Sequence, residues 1–151
     1  MIPSNIVELL DTGVSVVVGT RDAALMPECT RAWGIRVGRD RASVTIYLTA
    51  SISRQTLKNV NDNGLIAISC TRPTDHVACQ LKGRVRKVRQ ATRRDKEQSH
   101  AWHQEFLEEL IAIGVPRLLG EAWITEPALA VEVDVTEVFH QTPGPGTGQK
   151  L

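Results

Sequence analysis

The groups best able to hold an anion are crowded between residues 29 and 59. Arg31 and Arg36 come first, then Thr49, Ser51, Ser53, Arg54, Gln55 and Thr56. Ser53 is a good N-cap residue type and stands at the head of a segment, to about Asn61, that reads as a helix. Its donors would therefore gather at the positive end of that helix, where free backbone N–H groups favour an anion such as a phosphate. A purely structural use of the same residues is equally available, since Ser and Thr cap helices without a ligand and surface arginines are solvated. Arg31 and Arg36 have opposite parity on one strand, so they would point to opposite faces unless Gly34 introduces a bulge that re-aims them.

The elements that must position these groups are hairpins. Gly38-Arg39-Asp40-Arg41 has the composition of a turn between strands at 31–37 and 43–49, the second alternating Val44, Ile46 and Leu48 against Ser43, Thr45 and Tyr47. Upstream lie a short helix over 4–11 and a β-branched strand over 14–20. Downstream, Asn63-Gly64 stops the helix and hands the chain to an apolar strand over 65–70. His76 to Val88 is a long strand with Leu81, Gly83 and Val85 on one face and Gln80, Lys82, Arg84 and Arg86 on the other, and it must bend at Gly83. Thr92 and Asp95 resemble a capping box before a helix whose apolar side is Trp102, Phe106, Leu110 and Ile113; Gly114 and Pro116 end it. A last strand covers 129–138. Six strands and three helices without regular alternation predict a mainly β, antiparallel barrel with flanking helices. It forms one domain over 1–141, with the Gly/Pro-rich 142–151 a flexible tail.

Composition narrows the function. The 18 basic and 17 acidic residues nearly cancel, and Arg84-Val-Arg-Lys-Val-Arg has no interleaved aromatics, so a nucleic-acid partner is not expected. Cys29, Cys70 and Cys79 lack a CxxC spacing and read as reduced thiols. No apolar run approaches the roughly 20 residues needed to span a bilayer, and a soluble, cytoplasmic protein is expected. His100 and His103, or His76 and Cys79, have no third ligand at a familiar spacing, so no metal is expected. GxSxG, HExxH, P-loop and GxGxxG patterns are absent.

With these residues in place the sequence resembles the pyridoxamine 5'-phosphate oxidase-like, FMN-binding split-barrel family. Arg31-Ala-Trp-Gly-Ile-Arg36 is similar to the family's basic-x4-basic strand, Tyr47-Leu-Thr49 with Ser53-Arg54-Gln55 to its Tyr/Thr and Ser-Arg-Lys segments, and Gln80-Leu-Lys-Gly83 to its Gln-x-x-Gly pattern. Gln55 stands where the family carries lysine, and the C-terminal Arg-x-His pattern of the true oxidases is missing. The resemblance implies a six-stranded antiparallel split β-barrel, a homodimer, and FMN in two clefts between the subunits. Arg31, Arg36 and Arg54 would pair the phosphate with help from Ser53, and backbone groups of Trp33, Gly34 and Ile35 would line the isoalloxazine. Thr49, Ala50, Gln55 and Gln80 would complete the cleft. The implied function is a flavin-dependent oxidoreductase acting on a small molecule. A flavin-binding stress protein without turnover, or a relative that binds haem or a deazaflavin, is the alternative. The resemblance names no catalytic side chain.

Overall fold

The computed structural model describes residues 1–123 and 125–151. Its elements are α1 (Ser4–Leu10), β1 (Ser15–Arg21), β2 (Pro27–Ala32), β3 (Ile35–Val37), β4 (Ser43–Leu48), α2 (Arg54–Asn63), β5 (Leu65–Thr71), β6 (Ala78–Gln90), α3 (Arg93–Ala112), α4 (Arg117–Ala122) and β7 (Leu129–His140). The strands form one antiparallel sheet ordered β2-β1-β5-β6-β7-β4-β3, curled into a half-barrel consistent with a split barrel.

Seven strands replace the six expected, because the single strand read over 31–37 is two. At Gly34 the backbone takes φ +127°, a conformation open to glycine, and a Cβ there would also press within 3.0 Å of the Tyr47 ring. The chain thereby leaves one edge of the sheet and joins the other. Trp33 N–H donates to the Tyr47 carbonyl (2.8 Å) and Tyr47 N–H donates to the Gly34 carbonyl (3.3 Å), so the crossing ties the two edges together.

Inside the curl, Val16 and Val18 of β1, Val44, Ile46 and Leu48 of β4, Ile66 and Ile68 of β5, Leu81 of β6, and Val131 and Val133 of β7 are all buried. Each such side chain removed from water contributes about 1.5 to 3 kcal/mol, which makes the inward row the main source of stability. β6 bends as its length requires, with register shifts against β7 at Lys82/Gly83 and Val85/Lys87. A side chain at Gly83 would collide with the Asp134 carbonyl oxygen, so the bend needs glycine for close approach.

α3 begins with the capping box formed by Thr92 and Asp95, and buries Trp102, Phe106, Leu107 and Leu110. Ile113, expected to complete that face, is half exposed because the helix ends at Ala112. The short α4 has no counterpart in the sequence reading: Leu118 and Leu119 are exposed and give it no inward stripe. Residues after β7 turn back on it, with Gly148 N–H donating to the His140 carbonyl (2.7 Å) and Leu151 N–H to the Val138 carbonyl (2.8 Å).

Candidate anion site at the start of the second helix

α2 is seated by polar side chains along its buried side. Thr56 donates to Glu28, Thr20 donates to the same carboxylate oxygen (3.3 Å), and Asn59 donates to Thr20 (3.0 Å). Ser53 does occupy the N-cap position but its hydroxyl makes no capping bond. Its backbone (φ −113°, ψ 18°) lacks the extended geometry that aims a cap side chain at the first turn, and the hydroxyl lies 3.4 Å from Thr30 Oγ1 in the barrel wall. Ser53 is fully buried, and Gln55 bonds along the helix to Asn59 (2.8 Å). Of the three residues expected at this helix start, Arg54 alone lines the groove beside it.

That groove, about 710 Å³, runs between α2 and β6. Leu57, Val60, Val85, Val88 and Leu129 give it an apolar lining, and Arg54, Lys58, Arg86 and Lys87 bring positive charge. Arg86 is answered by Asp134 (3.0 Å) and Glu132 (3.6 Å). Arg54, Lys58 and Lys87 have no carboxylate within 4.0 Å among the described residues. Lys58 and Lys87 were not singled out in the sequence, although Lys58 is one helical turn from Arg54 and therefore on the same side. Thr49 follows Leu48, which pairs with Leu129 at the groove's end; the Thr49 hydroxyl is buried without a partner among the described residues, and Ala50 beside it is exposed.

The strand break settles the parity of the two arginines. Arg36 stands opposite Thr45, Thr45 opposite Glu132, and Glu132 opposite Lys87, so Arg36 and groove-lining Lys87 share one cross-strand row on the outer face. Arg31 belongs to another row, Arg31-Val17-Ser69-Gln80-Phe139, in which Gln80 donates to Ser69 (3.1 Å). Arg31 donates to Ser15 (3.2 Å) and lies 5.9 Å from the centre of the Phe106 ring, and half-burial lowers its pKa. Arg31 and Arg36 thus stand in two different rows, Arg31 on β2 in the row that holds Gln80 of β6, and Arg36 on β3 in the row that holds Lys87.

Around Gly34 the backbone is largely committed. Trp33 donates to Tyr47 and its carbonyl accepts from Ser99, and Ile35 points into the core. Two side chains here keep unused polar atoms: Arg36 Nε and Tyr47 Oη are buried without a partner among the described residues. Burial pushes the Tyr47 hydroxyl pKa up against the opposing pull of nearby Arg36.

Beside this open row the charges are closed. Arg89 donates to Asp95 and to Glu132 (2.9 Å), clamping the start of α3 to β6 and β7. Burial alone would raise the Asp95 pKa, but the bonds from Arg89 and Thr92 hold it well below the usual carboxylate range. Glu132 is lowered first by its bond from Arg89.

No family model matches the chain, and no curated protein matches it in sequence. Solved structures do share its fold. HupZ of Group A Streptococcus is 18% identical with a TM-score of 0.60, over 98% of this chain and 100% of that one. An F420 reductase is 15% identical with a TM-score of 0.57, over 91% and 98%. A pyridoxamine 5'-phosphate oxidase-related, FMN-binding protein of Nostoc punctiforme is 13% identical with a TM-score of 0.53, over 94% and 84%. At these identities the likeness is one of fold.

Proposed function

Since the chain carries the pyridoxamine 5'-phosphate oxidase-like split-barrel fold, we propose that it binds FMN in the groove beside α2 and serves as a flavin-dependent oxidoreductase on a small molecule. The observation that carries this reading is the set of unanswered cations, Arg54, Lys58 and Lys87, over an apolar lining. A phosphate supplies the missing counter-charge and a ring system the missing apolar contact. The fit is supported by Arg36 Nε and Thr49 Oγ1, buried polar atoms that lack a partner among the described residues. That the Nostoc relative is described as FMN-binding agrees with it.

In this reading Arg54, Lys58 and Lys87 hold the phosphate, and Thr49 and Arg36 meet polar edges of the cofactor. Ser53 and Gln55 act behind them, fixing α2 through Thr30 and Asn59. Bound flavin supplies hydride and electron transfer; the protein positions it and limits which compounds approach. Arg31 and Gln80 do not line this groove, and in a homodimer with clefts between subunits they would reach the flavin from the second protomer.

The test is the visible spectrum of the purified protein before and after adding and dialysing FMN. Retained flavin bands support the reading, and NADH or NADPH oxidation by the loaded protein separates an oxidoreductase from a flavin-binding protein without turnover. A Soret band, a deazaflavin spectrum, or a colourless protein that releases all FMN would overturn it. Sedimentation velocity reads the dimer directly.

A further inference from the structure

A second cavity lies against the middle of α3, away from the basic groove. It measures about 440 Å³, and Trp33, Ser99, His103 and Pro127 are among the residues that line it. Trp33 is 7% exposed and His103 4%, and among the described residues neither Trp33 Nε1 nor His103 Nε2 has a hydrogen-bond partner. Burying two such atoms unpaired is costly, and a ligand with matching groups removes the cost.

The remaining lining indicates what kind of ligand this is. Lys96 is paired with Glu126 (2.7 Å) and Glu97 with Arg93 (2.9 Å), so the rim presents charge already neutralised. The Ser99 hydroxyl is spent on the Trp33 carbonyl. Burial, with His100 nearby, lowers the His103 pKa and favours the neutral imidazole. Without an unanswered cation this cavity is a poor place for a phosphate. An indole face and a proline suit apolar surface instead.

We propose that this pocket binds an uncharged, largely apolar compound whose carbonyl oxygen accepts a hydrogen bond from Trp33 Nε1 and whose second polar group meets His103 Nε2. The neutral imidazole can serve there as donor or acceptor, according to its tautomer. The proposal stands whether or not the basic groove holds a flavin; in a flavoprotein, such a compound is the one acted upon.

The experiment uses the full chain, labelled with 15N and free of flavin. Its three indole N–H resonances are followed by NMR while 6-hydroxy-1-tetralone is added. The Trp33 resonance is assigned by its loss in Trp33→Phe or, by elimination, from Trp102→Phe and Trp123→Phe. The expected result is a saturable shift of the Trp33 resonance. Tetralin, the same ring system without polar groups, should bind at least tenfold more weakly, a comparison that needs no variant. His103→Leu should weaken hydroxytetralone at least fivefold. A Trp33 resonance that does not shift, tetralin binding as tightly as the ketone, or unchanged affinity in His103→Leu would each overturn the proposal. Because FMN retention is measured separately, failure here leaves the flavin reading untouched, and the reverse also holds.

Discussion

The starts of α2 and α3 treat charge in opposite ways. At α3, Asp95 closes a capping box, accepts from Arg89, and shares that arginine with Glu132, so the side chains that clamp the helix are all partnered. At α2, the N-cap hydroxyl is turned away and Arg54 faces a groove with Lys58 and Lys87, none of them paired with a carboxylate among the described residues. Charges that hold a fold together arrive with their counter-charges, because a buried charge without one is costly. The cations beside the groove are exposed and need no counter-charge to fold, which leaves them free for the anion proposed above.

The largest expected effect is on the closed end. Asp95→Ala leaves Arg89 with one partner and α3 without its cap, and should destabilise the fold by about 3 kcal/mol or more in chemical denaturation. The pH dependence has a definite sign. The folded pKa of Asp95 lies below its unfolded value of about 3.9, so the stabilisation is complete above that value and is lost as pH falls through the folded pKa. Asp95→Asn should therefore flatten stability against pH below about 4 relative to the unaltered protein.

At the open end the comparison reverses, with small effects on stability and large ones on binding. Arg54→Ala should weaken FMN binding by about 1.5 to 3 kcal/mol, the worth of a charged hydrogen bond, while changing stability by less than about 0.5 kcal/mol. Lys87→Ala removes a point charge without a fixed fork and should cost about 0.5 to 1.5 kcal/mol of FMN binding, an effect that shrinks at high salt. Smallest of all is Arg93→Ala. Its ion pair with Glu97 is largely exposed, so stability should move by less than about 0.5 kcal/mol and FMN affinity not at all.

Strand periodicity, the hairpin at 38–41, the bend at Gly83 and the Thr92–Asp95 cap were all legible, because each is written in residues close together in sequence. Gly34 was legible as a place where Arg31 and Arg36 could be re-aimed. That the chain crosses there from one sheet edge to the other was not, since the crossing depends on Tyr47, thirteen residues on. Ser53 misleads for a similar reason: its type favours capping, but Thr30 and the backbone angles imposed by the preceding loop decide where the hydroxyl goes. Glu28, which holds Thr20 and Thr56 together, lies on a strand with nothing local to mark it. Asp95, Ser99 and His103 did carry a signal, polar residues at successive i,i+4 spacings on a helix, and all three are buried.

FMN titration followed by flavin fluorescence tests the central contrast most directly, with the unaltered protein, Arg54→Ala and Arg93→Ala compared at low salt. Saturable quenching is predicted, at least tenfold weaker in Arg54→Ala and unchanged in Arg93→Ala. Absence of saturable quenching, or equal affinity in all three proteins, would contradict the assignment of the unpaired cations to a flavin phosphate.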